Sequence, residues 1–311
     1  EAATKAAVEV FAKNEQKETQ LCITALKKGL TPDPLMTVDE WADSFRILPT
    51  ESSSEPGKYR TERMPYLKPI AYELSPQSRT PEVSVIKGTQ LGFTELGNNM
   101  LFCYADLYPC PMLQILPTES AVRTHSKSKL WSSIKKSPRI RETFREVKTK
   151  DGSSTTSLVF SGGTIELGWS NSPATYASMS RRVVINDDID RWPDEVEGGD
   201  PLVLSANRAD AFPNKKIYNN SSPGKKERSK ILKKWKSSSQ GLYTMKCPHC
   251  DGDITFEKDG FIFEHDEEYQ LTSEVVFSCN CCGGIIEEHM KFEMMKEENG
   301  ARYVHKFPER E

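Results

Sequence analysis

Residues 83–94 read Val83-Ser84-Val85-Ile86-Lys87-Gly88-Thr89-Gln90-Leu91-Gly92-Phe93-Thr94. An apolar β-branched run enters a short loop, and a helix-forming stretch leaves it. That is the strand–loop–helix layout of a phosphate-binding loop, whose usual pattern is G-x-x-x-x-G-K-[ST]. Gly92 and Thr94 fit the pattern. Phe93 stands where the lysine belongs, and Lys87 stands where the first glycine belongs. The chemistry needs one cation on the β/γ-phosphates, backbone N–H groups around them and a hydroxyl on Mg²⁺. A lysine at the mouth of the loop reaches the same phosphates from the other side, so the segment is read as a nucleotide-binding loop with a displaced cation. The plainer reading is an ordinary strand–loop–helix connection that uses Gly92.

A second motif favours the nucleotide. Arg181-Arg182-Val183-Val184-Ile185-Asn186-Asp187-Asp188 is an apolar strand ending in two carboxylates. An NTPase needs one carboxylate at a strand tip for Mg²⁺ and a neighbour to orient the attacking water. Asp187 fits the magnesium role and Asp188 the water role, while Asp190, Asp194 and Glu195 add surface charge. The third motif is Cys247-Pro248-His249-Cys250 with Cys279-Asn280-Cys281-Cys282, two C-x₂-C pairs separated by 28 residues. Each pair offers two thiolates from a tight turn, and four cysteines fill a tetrahedral Zn²⁺, so this site reads as structural. Cys281 is either a spare thiol or an alternative ligand. His249 reads as a spacer, and Cys22, Cys103 and Cys110 as small apolar residues.

Composition sets the frame. The 311 residues are 36% hydrophobic and 28% charged with a net charge of −3, which describes a globular chain and gives no overall nucleic-acid signal. Any DNA contact must come from local basic patches. No apolar run approaches the roughly 18 residues of a membrane span. Eight cysteines are too few for a disulfide scaffold in a chain of this length and point instead to metal in a reducing compartment.

Residues 1–30 read as helical and stop at Thr31-Pro32-Asp33-Pro34, and Thr37 with Glu40 forms a capping signal for the next helix. A polar stretch over 49–63 reads as loop, and a short helix follows over Tyr66–Leu74. From there strands are expected at Val83–Ile86, Met112–Leu116, Ser157–Phe160, Thr164–Gly168, Val183–Asn186 and Lys216–Asn219. Helices are expected at Phe93–Leu107, Glu119–Lys136 and Leu202–Ala209, with a polar loop or hairpin over 148–157. Strands spaced by crossover helices predict an α/β fold, a P-loop NTPase fold with a mainly parallel central sheet flanked by helices, followed by a small C-terminal zinc-ribbon-like segment. The expected division is 1–36 helical, 37–241 P-loop ATPase and 242–311 zinc-ribbon-like. Pro117-Thr118-Glu119 reads as a DNA- or phosphate-facing helix start or a plain cap. Asn219-Asn220-Ser221-Ser222-Pro223 reads as a γ-phosphate sensor or a turn. Lys225–Lys236 is a basic helical stretch that meets a phosphate backbone or lies solvated.

Taken together and in order, several segments resemble the motor domain of lambda-like phage terminase large subunits. They are Trp41-Ala42-Asp43-Ser44-Phe45-Arg46, Glu55-Pro56-Gly57-Lys58-Tyr59-Arg60-Thr61, Pro65-Tyr66, the loop from Lys87 to Thr94, Pro117-Thr118-Glu119, Asn171-Ser172-Pro173, Asp187 to Pro193, Ser221-Ser222-Pro223 and the Cys-Pro-His-Cys element. The resemblance implies an ATPase that drives double-stranded DNA into a procapsid in the cytoplasm of an infected bacterium, with ATP, Mg²⁺ and Zn²⁺ as cofactors. It implies a homo-oligomeric ring on a portal, a small terminase subunit as partner, no membrane, and a C-terminal nuclease domain that is not seen in this chain. By it, Lys87 is the phosphate lysine within the ATP-binding run Lys87, Gly88, Thr89, Gln90, Leu91, Gly92, Phe93 and Thr94. Thr94 and Asp187 hold Mg²⁺, and Asp188 stands where the family has glutamate. Tyr66 lies near adenine, and Ser221 and Ser222 couple hydrolysis to motion. Zinc falls to Cys247, Cys250, Cys279 and Cys282. An arginine acts in trans, with Arg181 and Arg182 as candidates. Two departures stand out: Leu67 follows Tyr66 where glutamine is common, and Asp188 is one methylene shorter than glutamate, leaving Asp190 as another carboxylate that could position water. Two other readings are a non-enzymatic zinc-ribbon module with a decayed loop and a helicase-like ATPase.

Overall fold

The computed structural model describes residues 18–23, 26, 30, 34–51, 53–145, 154–177 and 179–310. The helix expected over 1–30 and the loop expected over 148–157 fall mostly outside these. The chain forms two units, Glu1–Met36 and Thr37–Glu311. In the first, residues 18–23 are helical.

The second unit opens with α1 (Val38–Phe45), whose capping box is formed by Thr37 and Glu40. The backbone N–H of Thr37 donates to Glu40 Oε2 at 2.9 Å. A two-residue antiparallel pair, β1 (Ile47–Leu48) and β2 (Gly57–Lys58), brackets the polar stretch, and α2 (Leu67–Leu74) follows.

Six strands build the central sheet: β3 (Glu82–Ile86), β4 (Met112–Leu116), β5 (Ser157–Phe160), β6 (Gly163–Trp169), β7 (Val183–Asp187) and β8 (Lys216–Ser221). Their order is β3-β8-β7-β4-β6-β5. All neighbours are parallel except β5, which folds back on β6 as an antiparallel edge. Every residue of β4, β7 and β8 is buried, as a parallel strand covered on both faces requires. Against one face lies α3 (Phe93–Leu107). A side chain at Gly97 would meet Ile185 and Tyr218, so the helix rests directly on β7 and β8. The other face carries a cluster of Leu113, Ile115, Ile189, Trp192, Leu202 and Ile231, the last two from α7 (Pro201–Asn207) and α8 (Lys230–Ser237). Between β4 and β5 run α4 (Glu119–His125), a π-helical turn (Ser126–Trp131), α5 (Ser132–Lys136) and α6 (Pro138–Arg145).

The fold is thus mixed α/β with a mostly parallel sheet. The expected basic helix over 225–236 needs correction, because it begins at Lys230. The Ser229 hydroxyl accepts the N–H of Leu232 at 3.2 Å, which sets the N-cap there.

Parallel register decides where chemistry can occur. Ile86 pairs with Ser221, Asp187 with Asn220, and Leu116 with Trp169. The carboxyl ends of β3, β8, β7, β4 and β6 therefore share one edge, which is where open α/β sheets bind ligands.

After α8 the chain changes character. β9 (Gly241–Lys246) pairs with β10 (Asp253–Ile254) and β14 (Arg302–His305), and β11 (Phe261–Ile262), β12 (Val276–Ser278) and β13 (Ile285–Ile286) form a second three-stranded sheet. Their shared cluster includes Met245, Ile254, Phe277, Met294 and the buried Cys247 and Cys279, with Tyr66 packed against it.

Candidate functional site

The loop after β3 is shaped by two residues in the left-handed region, Gln90 at φ 59° and Gly92 at φ 77°. Gly92 suits its position on two counts. Its φ favours glycine, and a Cβ there would stand 2.5 Å from Met64 Sδ. Gly92 also caps α3, so the first backbone N–H groups of a 15-residue helix point into the loop.

Four side chains from two elements converge at the sheet edge. Lys87 Nζ lies 3.1 Å from Asp187 Oδ1 and 3.0 Å from Asp188 Oδ1. It also donates to Thr94 Oγ1 at 3.3 Å. Thr94 donates in turn to Asp187 Oδ2 at 3.1 Å. Lys87 and Asp187 are nearly enclosed, with side chains 10% and 6% exposed, whereas Asp188 is 33% exposed. Asp188 turns through φ 50°, which swings its carboxylate onto the same ammonium as Asp187. The Lys87 backbone N–H donates to Ser221 O at 3.0 Å, pinning the loop to the tip of β8.

Sequence reasoning placed Asp190 beside Asp188 as a second acid, and the structure gives it a different task. Asp190 Oδ2 accepts the N–H of Gly224 at 2.6 Å, Oδ1 accepts that of Ile231 at 2.8 Å, and its own N–H donates to Ser221 Oγ at 3.1 Å. Asp190 ties the segment after β8 to the segment after β7. The Trp192 indole N–H donates to Asp187 O at 3.0 Å, adding a second brace. Ser221 lies at this edge, and its hydroxyl also donates to Ser222 O at 3.0 Å. Arg181 and Arg182 directly precede β7, at the opposite end of the sheet. Arg181 is buried, and Arg182 Nε donates to Asn214 O at 3.3 Å.

Tyr66 closes one side of the loop. Its hydroxyl donates to Leu91 O at 3.2 Å, and its ring centroid lies 5.9 Å from that of Phe93 and 6.1 Å from that of Tyr243.

Behind the loop lies a clamp that the residue pattern did not single out. Arg46 is fully buried and meets Glu95 Oε2 at 3.0 Å and Asn99 Oδ1 at 3.1 Å. Lys129 meets Glu95 Oε1 at 3.0 Å. Burial pushes the Glu95 carboxyl up, but Arg46 and Lys129 outweigh it and hold it below its ordinary value. Glu95 follows Thr94 directly, so the clamp fixes the first turn of α3. Replacing Arg46 by methionine is expected to cost about 3–5 kcal/mol of stability by leaving a buried carboxylate short of its partner. Arg46→Met with Glu95→Leu should recover most of that. Equal denaturant midpoints for wild type and the single variant would remove the clamp from the account. Deeper in the sheet, the side-chain amides of Gln114 and Asn220 are buried with no hydrogen-bond partner among the described residues. Asn220 stands in register with Asp187.

The cysteines form a second centre. The Sγ atoms of Cys247, Cys250, Cys279 and Cys282 all lie within 4.8 Å of one another. Cys247 and Cys282 are 4.0 Å apart, and Cys250 and Cys279 are 3.9 Å apart. A tetrahedron with Zn–S bonds of about 2.3 Å has edges of about 3.8 Å, so the donor set fits zinc. The two turns repeat one pattern. Cys247 N–H donates to Gly252 O at 2.9 Å and Cys247 O accepts Asp251 N–H at 2.9 Å, while Cys279 and Gly284 pair at 2.9 Å and Gly283 and Cys279 at 2.8 Å. The left-handed position falls at Asp251 in one turn and at Gly283 in the other. Cys281 lies outside the quartet, and His249 Nε2 is engaged with Ile285 O at 2.7 Å.

Comparison with known proteins bears on the family and the fold. The family model for the phage terminase large subunit gpA, ATPase domain, matches residues 53–301. The chain is 26% identical over 271 residues to the large terminase subunit of Enterobacteria phage P21, covering 85% of this chain and 42% of that protein. The structure is similar in fold to the crystal structure of the HK97 bacteriophage large terminase, with a TM-score of 0.51 at 14% identity over 64% of this chain and 40% of that one. The chain therefore spans less than half the length of either.

Proposed function

The chain belongs to the phage terminase large subunit gpA ATPase-domain family, and from that premise we propose that residues 37–241 are an ATP-hydrolysing motor that moves double-stranded DNA into a procapsid. The observation that carries this reading is the Lys87–Asp187–Asp188–Thr94 cluster beside a glycine-capped helix start. One cation, one hydroxyl and two carboxylates are the groups that phosphoryl transfer to water needs.

Without nucleotide, Lys87 neutralises the two acids. A triphosphate entering the loop would draw its ammonium toward the β/γ-oxygens. The loop from Gly88 to Phe93 would supply N–H donors, and Tyr66 would line the adenine side. Thr94 and Asp187 would hold Mg²⁺, which when bound offsets charge on the phosphate oxygens. Asp188, the more exposed acid, would orient water for attack on the γ-phosphorus as the bond to the ADP oxygen breaks. Because Asp190 is held by two backbone N–H groups, Asp188 is the better placed carboxylate. Ser221 and Ser222 would carry the loss of the γ-phosphate to the segment that Asp190 ties down. Residues 242–311 would be a zinc-stapled module. A homo-oligomeric ring, a portal, a small terminase subunit and action in the host cytoplasm follow from the family reading. Among the described residues no helix is long and apolar enough to cross a membrane.

The test is ATP turnover and a nucleotide-dependent melting shift of the chain, with and without duplex DNA. Absence of any nucleotide-dependent shift would favour a non-enzymatic zinc-ribbon module. Asp188→Asn is expected to lower kcat by about 10²–10⁴-fold, the range for a positioned acid–base group. Asp188→Glu should keep turnover within about tenfold, because the carboxylate is retained. Full activity in Asp188→Asn would assign the water to another group.

A further inference from the structure

One cleft lies apart from the cluster at Lys87. It has a volume of about 310 Å³ and is lined by Arg123, Ser126, Lys127, Trp131, Lys135 and Thr155. Arg123, Lys127, Trp131 and Lys135 follow one another at intervals of four residues. Four residues overshoot a 3.6-residue α-turn, so such a row would wind around a regular helix. Here the π-helical turn Ser126–Trp131 widens the middle of the helix and keeps the row on one side. Turns of this kind are rare and often mark functional sites. Thr155, two residues before β5, forms the opposing wall.

The lining chemistry is selective. Lys127 and Lys135 are exposed, and Trp131 is half-buried. Arg123 is exposed and pairs with Glu119 at 2.6 Å. Ser126 is fully buried, and its hydroxyl has no partner among the described residues. That hydroxyl lies sealed beneath the cleft floor, so the cleft's chemistry is set by the exposed side chains around it. Cations beside an aromatic face suit a phosphate attached to a sugar and base. The basic stretch at 225–236 spends part of its charge on the protein itself. Its Lys230 is turned inward, donating to Trp192 O at 2.9 Å, and its Lys234 pairs with Glu82 at 2.6 Å.

We propose that this cleft is a nucleic-acid contact, in which Arg123, Lys127 and Lys135 meet backbone phosphates and Trp131 packs against a sugar or base. This deepens the DNA-motor reading and rests on it for the identity of the polymer. The helix begins three residues after the last residue of β4, at the edge that also carries the proposed nucleotide loop. A strand bound in the cleft would therefore sit on an element that starts at the edge carrying the proposed nucleotide site.

The test uses the full chain with a labelled duplex, a single strand of the same sequence and free tripolyphosphate. Lys127→Ala/Lys135→Ala is expected to raise the dissociation constant for duplex by about tenfold or more, and to reduce the log–log salt slope by ~1.8, two phosphate contacts' worth. Trp131 fluorescence should change on saturation with DNA, and the change should vanish in Trp131→Phe. ATP turnover without DNA should be the same in wild type and the double-lysine variant, which separates failure of the cleft from failure of the motor reading. Undiminished binding and slope in the double variant would overturn the proposal. Loss of binding in Lys233→Ala/Lys236→Ala instead would overturn it in favour of the other basic stretch. Tripolyphosphate altering Trp131 emission while neither polymer does would overturn it in favour of a small-phosphate site. A chain that neither turns over ATP nor binds DNA would sink both readings.

Discussion

Lys87→Ala is expected to lower ATP turnover by about 10²–10³-fold or more, the usual loss when a preorganised charge on a transition state is removed. The expectation follows from geometry, because Lys87 is the cation that reaches Asp187, Asp188 and Thr94 together. It stands at the mouth of the loop, ahead of the glycines, and no lysine or arginine lies within Gly88–Thr94 to replace it. The same substitution should leave two carboxylates facing each other without their shared counter-ion. A small fall in melting temperature is therefore expected in nucleotide-free protein, with addition of Mg²⁺ restoring part of it. Zinc content should not change, since the cysteine quartet belongs to a separate cluster. Lys87→Arg should rescue charge but not activity. A planar guanidinium cannot take the place of a compact ammonium between Asp187 and Asp188 in a site this enclosed. Turnover close to wild type in Lys87→Ala would detach the loop from the chemistry.

The parts of this site that could be read from sequence were those where one residue type has one plausible use. An apolar run ending in Asp187-Asp188 announces a buried parallel strand with acids at its tip, and β7 is that strand. Gly92 announced a helix start, and the steric reason is Met64, a neighbour no local pattern reveals. Asp190 was illegible for the opposite reason. A third acid in a short run looks like spare charge, and only the packing of α8 against the 189–191 turn makes it a backbone acceptor. Arg46 was visible as a residue but not as a partner, because Glu95 lies 49 positions away. Gln114, Asn186, Asn219 and Asn220 are polar residues inside strands that register as apolar. Asn186 Nδ2 bonds Asn219 Oδ1 at 2.7 Å and Asn219 Nδ2 bonds Glu82 Oε1 at 2.8 Å, a ladder across three strands that alternation rules cannot anticipate. The basic stretch after Gly224 shows how a capping residue outranks propensity. Lysines favour helix from 225 onward, yet Ser229 starts it at Lys230.

Loss of metal should unfold the C-terminal module and loosen the loop at Lys87. In zinc-finger peptides structural zinc supplies about 10–16 kcal/mol of folding free energy at neutral pH. The module's own core is small, and two of the four proposed ligands, Cys247 and Cys279, are members of it. Cys250→Ser or Cys282→Ser, both exposed, changes a ligand with the least disturbance of packing. Either variant is expected to bind less than one zinc per chain by elemental analysis and to show an early unfolding transition. Cys281→Ser should keep full zinc and the wild-type melt, because its sulfur stands outside the quartet. The effect reaches the proposed nucleotide site through Tyr66, whose ring packs against Tyr243 and whose carbonyl accepts Tyr303 Oη at 3.3 Å. Tyr66 in turn holds Leu91 O at 3.2 Å. Chelation should therefore weaken ATP binding while Asp187, Asp188 and Lys87 remain in place, a rise in KM exceeding any fall in kcat. Full stability and unchanged KM in a demetallated chain would mean that the four thiols hold nothing that the fold depends on.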